Sequence, residues 1–155
     1  MSAETQRRSA VGCELAADMV RNFGEVRLKV TGASMIPAIW PGDVITVHSC
    51  DMGDLQPGEI VLYRREGTLV AHRIAWIRGD LLSTRGDALQ HDDLPIGESE
   101  IVGKVCLVRN GRCINPSQSS WQRAGSSILR RSDFCMRMTL RLGRRLRRHG
   151  DRVIS

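Results

Sequence analysis

At 155 residues the chain has room for one domain with a real core and an appendage. Hydrophobic residues make up 41% and aromatics only 4%, and the Val- and Ile-rich stretch from Val26 to Val108 points to a β-rich domain. The net charge of +6 is lodged in the tail, where ten Arg against two Asp from Trp121 onward give +8 and leave the first 120 residues at −2.

In chain order, "CELAADMVRNF" (13–23) has Leu15, Met19 and Phe23 four apart on one face, which predicts a short amphipathic helix. "EVRLKV" alternates Val26, Leu28 and Val30 against charges, as a half-buried strand does. "DVITV" and "GEIVLYR" are further strands, each introduced by a Pro-Gly-acid turn, Pro41-Gly42-Asp43 and Pro57-Gly58-Glu59. "TLVAHRIAWIR" follows, with Thr68, Val70, His72, Ile74 and Trp76 on one face. Arg78-Gly79-Asp80 turns into "LLSTRGD", and "IVGKVCLVRNGRCI" forms a hairpin bent at Asn110-Gly111. The expected division is a helical segment over 1–24, a β domain over 25–116 and a basic helical tail over 117–155.

The five cysteines are odd in number and form no Cys-x-x-Cys pair, which predicts reduced thiols rather than a disulfide framework or zinc ribbon. His48 and Cys50 with Asp51 and Asp54 match no common ligand spacing, so neither a metal nor a cofactor is expected. No run of eighteen apolar residues and no basic-then-apolar leader occurs. The expected location is cytoplasmic, at most peripheral at a membrane. In the tail, Leu129, Phe134, Met138, Leu142 and Leu146 give an apolar stripe flanked by Arg, suited to an anionic membrane surface. The body offers no helix-turn-helix, so nucleic acid is not the expected partner, and the oligomeric state is not legible.

Two segments suggest chemistry. "VTGASMIPAIWPGD" presents Ser34 in a turn after a strand. A turn serine ordinarily serves the backbone, and a histidine on an apolar strand face, such as His72, is ordinarily a packed one. Together they read differently. Serine needs a base within hydrogen-bond reach to become a nucleophile, neutral imidazole is such a base, and a carboxylate usually orients it. "TRGDALQHDDLP" supplies Asp87, Asp92 and Asp93.

The order Gly-x-Ser-Met-x-Pro, Pro-Gly-Asp, "GEIVLY", "VAHRI" and "TRGDALQHDD" resembles the type I signal peptidases over about residues 25 to 110. It is most similar to the branch with histidine where the bacterial housekeeping enzymes use lysine. Gly86-Asp87 and Asp92-Asp93 keep that branch's offset, while Ala88-Leu89 replace its Asn-Asn. The resemblance implies a mainly β fold, a coiled antiparallel sheet or distorted barrel. It also implies Ser34 as nucleophile, His72 as general base, and Asp93 or else Asp87 orienting the histidine. The Ser34 N–H would serve the oxyanion, with Met35 and Pro37 shaping a substrate groove for small side chains. Gly32 stands where signal peptidases often carry a serine, which brings this box closer to LexA-like self-cleaving proteins. Those use lysine as base, whereas this chain has only Lys29 and Lys104 and neither lies on the His72 strand. The expected activity is serine endopeptidase on a peptide or protein precursor. The alternatives are LexA-like self-cleavage and an idle peptide-binding or membrane-associated accessory protein.

Overall fold

The computed structural model describes residues 3–109 and 112–114, with side chains over 10–107. The expected tail over 117–155, its membrane stripe and the Asn110-Gly111 bend lie outside the described residues.

Helix α1, Ala3–Phe23, begins ten residues before the expected start. The "AETQRRSA" segment is built mostly of strong helix formers, and it extends the helix without needing a hydrophobic stripe. Gly24, at φ 79, ends it by returning its N–H to the Val20 carbonyl at 2.9 Å. The buried face is Cys13, Ala16, Ala17 and Val20 rather than the stripe of Leu15, Met19 and Phe23. Leu15 is 62% exposed and Phe23 72%, with Val11 and Met19 on the same open face. Four-residue spacing shows that side chains share a face, but not which face docks. Small residues won here, because they let the helix lie close against β1, β4 and β7.

The strands are β1 (Glu25–Lys29), β2 (Val44–His48), β3 (Ile60–Arg65), β4 (Thr68–Arg78), β5 (Leu81–Arg85), β6 (Ile96–Gly97), β7 (Ile101–Arg109) and β8 (Arg112–Ile114). All pairings are antiparallel in one sheet ordered β1-β2-β7-β3-β4-β5-β6, with β8 on β7. The path does not close, since β1 and β6 are its ends. One core cluster gathers Val20, Met35, Ile39, Ile45, Val47, Ile60, Leu62, Val105 and Leu107. A second gathers Leu55, Val61, Tyr63, Ile74, Leu82 and Ile96. Among the described residues no helix is long and apolar enough to cross a membrane.

The two Pro-Gly-acid turns share one construction. Gly42 (φ 95) and Gly58 (φ 94) occupy the position that demands positive φ, after proline. The following carboxylate takes the N–H three residues back, Trp40 to Asp43 at 2.8 Å and Gln56 to Glu59 at 3.0 Å. Each turn then clasps a neighbouring strand. Val30 exchanges bonds with Gly42 and Asp43, and Ile74 with Gly58 and Glu59. The first clasp fixes the chain four residues before Ser34, and the second fixes β4 two residues after His72.

Two expectations need correction. A bulge in the β4–β5 ladder between Ile74 and Trp76 shifts the register, so the alternation does not run to Trp76. Ile77, not Trp76, packs with Val70 and Ile74. Cys106 is disulfide-bonded, while Cys13, whose thiol donates to the Gly67 carbonyl at 3.2 Å, and Cys50 are reduced. An odd count of cysteines argues against a full framework but leaves room for a single bridge.

Candidate active site

Ser34 sits in the loop after β1, and the turn that follows it is rooted in the core. Met35, Ile36, Ala38 and Ile39 are all buried, and the Ile39 N–H bonds the Met35 carbonyl at 2.9 Å. The segment is held from the other side by the loop after β5. The Ala88 N–H donates to the Ser34 carbonyl at 2.9 Å. A Cβ on Gly86 would stand 2.8 Å from that same oxygen, so only glycine allows this approach.

His72 lies mid-strand in β4 and is 6% exposed. Its Nε2 is 2.9 Å from Ser34 Oγ, and its Nδ1 is 2.6 Å from Asp93 Oδ2. The structure therefore brings together three residues from three separate segments. The Asp93 backbone is pinned to β5 through its N–H to the Thr84 carbonyl at 2.7 Å and its carbonyl to Ser83 Oγ at 2.8 Å. Its Oδ2 also receives Thr84 Oγ1 at 2.7 Å and the Tyr63 hydroxyl at 3.2 Å. Burial alone would raise the Asp93 carboxyl, but hydrogen bonds from Thr84 and His72, the His72 charge and the Tyr63 hydroxyl together hold it below the ordinary aspartate value. Burial pushes the Tyr63 phenol up, and the neighbouring Asp93 charge adds to the rise, so Tyr63 keeps its hydrogen.

Asp87 is placed elsewhere. Arg73, on the opposite side of β4 from His72, grips both its oxygens, Nε to Oδ1 at 2.8 Å and Nη2 to Oδ2 at 2.7 Å. Arg73 Nη1 also donates to the Gly58 carbonyl at 2.7 Å. Both ring nitrogens of His72 are occupied by Ser34 and Asp93, so Asp87 has none to orient. Asp92 pairs with Arg85 at 3.3 Å, at the surface. Three carboxylates of one loop thus have three different partners.

A groove of about 490 Å³ runs to Ser34 and His72, walled by Leu28, Val30, Met35, Ile39, Leu69 and Ala71. Met35 lines it as expected, whereas Pro37 is not part of its lining. Pro37 instead offers its carbonyl to the Trp40 indole N–H at 3.1 Å, within the loop. Lys29 lies on the groove wall, but the ring nitrogen facing Ser34 belongs to His72. Lys104 is paired with Glu59 at 2.6 Å.

The groove is bordered by two strands with open edges. Among the described residues β1 is the end of the sheet, and over Thr68–His72 β4 pairs with β3 alone, because β5 joins only from Arg73. Such edges can hydrogen-bond an extended peptide.

Sequence reasoning passed over Thr84 and Tyr63. Their signal was the ladder register, which sets Thr84 opposite Ile74 and Tyr63 opposite Val70, on the His72 face. Residue types alone could not supply it.

A family model described as Peptidase S24-like matches residues 3–106, which takes in α1 and all the residues named above as a site. No curated protein matches the chain.

Proposed function

Because the chain belongs to the peptidase S24-like family, in the superfamily of LexA and the signal peptidases, we propose that it hydrolyses peptide bonds with Ser34 as nucleophile, His72 as general base and Asp93 orienting the imidazole. The observation that carries this reading is the continuous line from Asp93 Oδ2 through His72 to Ser34 Oγ, at 2.6 and 2.9 Å, at the end of an apolar groove. Nε2 takes the Ser34 hydrogen as Oγ attacks the carbonyl carbon and returns it to the leaving amine, and water deprotonated by the same nitrogen then cleaves the acyl ester and restores the Ser34 hydroxyl. The resulting imidazolium is stabilised by Asp93. The Ser34 N–H makes no hydrogen bond among the described residues and is the donor we assign to the oxyanion.

The substrate we propose is an extended segment of a peptide or protein precursor, laid between β1 and the open edge of β4. The apolar walls favour uncharged side chains beside the cut, as in signal peptidase-like processing. The test is intact-mass analysis of wild type and Ser34→Ala, alone and with an extended apolar peptide library. Cleavage by wild type that disappears in both Ser34→Ala and His72→Ala is expected. Cleavage that persists in Ser34→Ala would refute the assignment, and a fragment of the chain itself would identify self-processing.

The tail's partner remains a proposal of its own. One observation favours an anionic membrane surface: Val11, Leu15, Met19 and Phe23 form an open apolar face on α1 that could lie in the same interface. Co-sedimentation with anionic liposomes that survives moderate salt, and that is lost on truncation after Ser120, is expected. Binding only to nucleic acid, with a steep salt slope, would refute it.

A further inference from the structure

Behind the His72–Asp93 pair stands a second rank of hydroxyls that no part of the proposed reaction touches. Thr84 is 1% exposed and sits on β5 opposite Ile74, a member of the apolar cluster of Leu55, Val61, Tyr63, Ile74, Leu82 and Ile96. A buried hydroxyl in such a place needs a partner, and its nearest acceptor is Asp93 Oδ2 at 2.7 Å. The Tyr63 hydroxyl lies 3.2 Å from both Oδ2 and Thr84 Oγ1, and its ring meets the His72 ring edge-on at 6.3 Å between centroids.

We propose that Thr84 and Tyr63 are positioning residues that aim Oδ2 of Asp93 at His72 and hold it as a pure acceptor, so that Nδ1 carries the ring hydrogen and Nε2 is left open toward Ser34. Thr84 has one hydrogen to give, and an ionised oxygen at 2.7 Å is both nearer and a stronger acceptor than the phenol at 3.2 Å. The Tyr63 hydrogen then points either to Oδ2 or to Thr84 Oγ1, and in both cases it reinforces the same acceptor. An ionised oxygen accepts these hydrogen bonds more strongly than a protonated one, so both donors favour the anion. With Asp93 held ionised, the short contact to Nδ1 carries the imidazole hydrogen. The catalytic consequence rests on the peptidase reading above, whereas the state of the ring does not.

Loss of the Thr84 donor leaves Asp93 more basic, so the His72–Asp93 pair takes up a proton at higher pH. The charged and titratable groups on the surrounding elements are Lys29 on β1, Tyr63 and Arg65 on β3, the Arg73–Asp87 pair, and the Arg85–Asp92 pair at the end of β5. All are unchanged in a Thr84 variant, so a shift there reports the hydroxyl.

The experiment is a pH titration of the His72 ring by ¹⁵N NMR in the full-length protein, comparing wild type with Thr84→Val, Thr84→Ser and Tyr63→Phe. Thr84→Val should move proton uptake upward by roughly 0.5–1 pH unit. Thr84→Ser should restore it, and Tyr63→Phe should move it less. On a cleavable substrate the acid limb of kcat/KM should move with the ring, and kcat at neutral pH should fall about tenfold with KM unchanged. A Thr84→Val titration that superimposes on wild type overturns the proposal. If Thr84→Val does not fold, Tyr63→Phe decides by the same criterion. A ring that shifts in a protein with no peptidase activity would refute the peptidase reading and leave the positioning role standing.

Discussion

Asp87 and Asp93 leave the same loop six residues apart, and both reach neighbours on β4, Arg73 and His72. Their surroundings make them different chemical objects. Asp87 is 7% exposed and bound by a permanently charged guanidinium in a two-pronged pair. Arg73 holds the Gly58 turn as well, while the residues flanking Asp87 press on the Ser34 carbonyl. That ion pair therefore ties the strand carrying His72 to the loop carrying Ser34. Asp93 is 20% exposed and bound by neutral donors and by an imidazole whose charge changes. One carboxylate fixes a distance, and the other fixes a protonation state. Alternation along a strand makes this possible, since adjacent residues of β4 address opposite faces.

Asp93→Asn should have the largest effect on turnover. The shape is kept, but the amide can present its NH₂ to Nδ1 and select the wrong tautomer. Proteolytic kcat should fall by about 10³–10⁴-fold, with denaturant stability at neutral pH changed far less. Asp87→Asn should show the opposite profile. Removing one partner of a buried ion pair costs about 3–5 kcal/mol, measurable by urea unfolding, while kcat per folded molecule falls much less. Equal kcat losses in the two variants would erase the distinction drawn here. A double variant, Arg73→Met with Asp87→Leu, should be more stable than Asp87→Asn, since no charge is then left buried alone.

How much of this was legible in the sequence follows from the range of each interaction. The strands were legible because alternation and Pro-Gly turns are local signals, and β4 was read to its observed ends, Thr68 and Arg78. The serine and histidine were legible because each stands alone in a distinctive strand or turn, and the ordered boxes carried the family resemblance. The choice between Asp87 and Asp93 was not. Both are acids in a polar loop, and only the fold reveals that Arg73 has taken one of them. The outward face of α1 was not legible either, because a sheet surface that prefers Ala16 and Ala17 is not written into the helix itself. The disulfide at Cys106 depends on a pairing that composition cannot supply.

Gly86→Ala acts at the point where the Asp87 loop meets the nucleophile. The new methyl would press on the Ser34 carbonyl, which is backbone and cannot swing away. The expected cost is about 1–3 kcal/mol of stability. A loss of kcat should accompany it, because displacement of Ser34 stretches the 2.9 Å contact to His72. A crystal structure of Gly86→Ala with Ser34 unmoved and full activity would show that the loop does not set that distance.

The smallest effect separates the carboxylates by pH. Asp93 is held below the ordinary aspartate value of 3.8 in the folded protein. A group depressed on folding contributes stability that is fully present above its unfolded value and is lost as pH falls through its folded one. The unfolded chain takes up the proton first on acidification, which draws the equilibrium toward unfolding. Wild type should therefore lose this contribution as pH falls below 3.8, whereas Asp93→Asn, with nothing to titrate at that position, should not. Urea unfolding at pH 6 and at stepwise lower values would show the difference between the two proteins shrinking in acid. The size is modest because the carboxylate is partly open to water and screened. A difference that stays constant across the window would mean that the anion is no better held in the fold than in the unfolded chain, and that the bonds from Thr84, His72 and Tyr63 do no more than offset its burial.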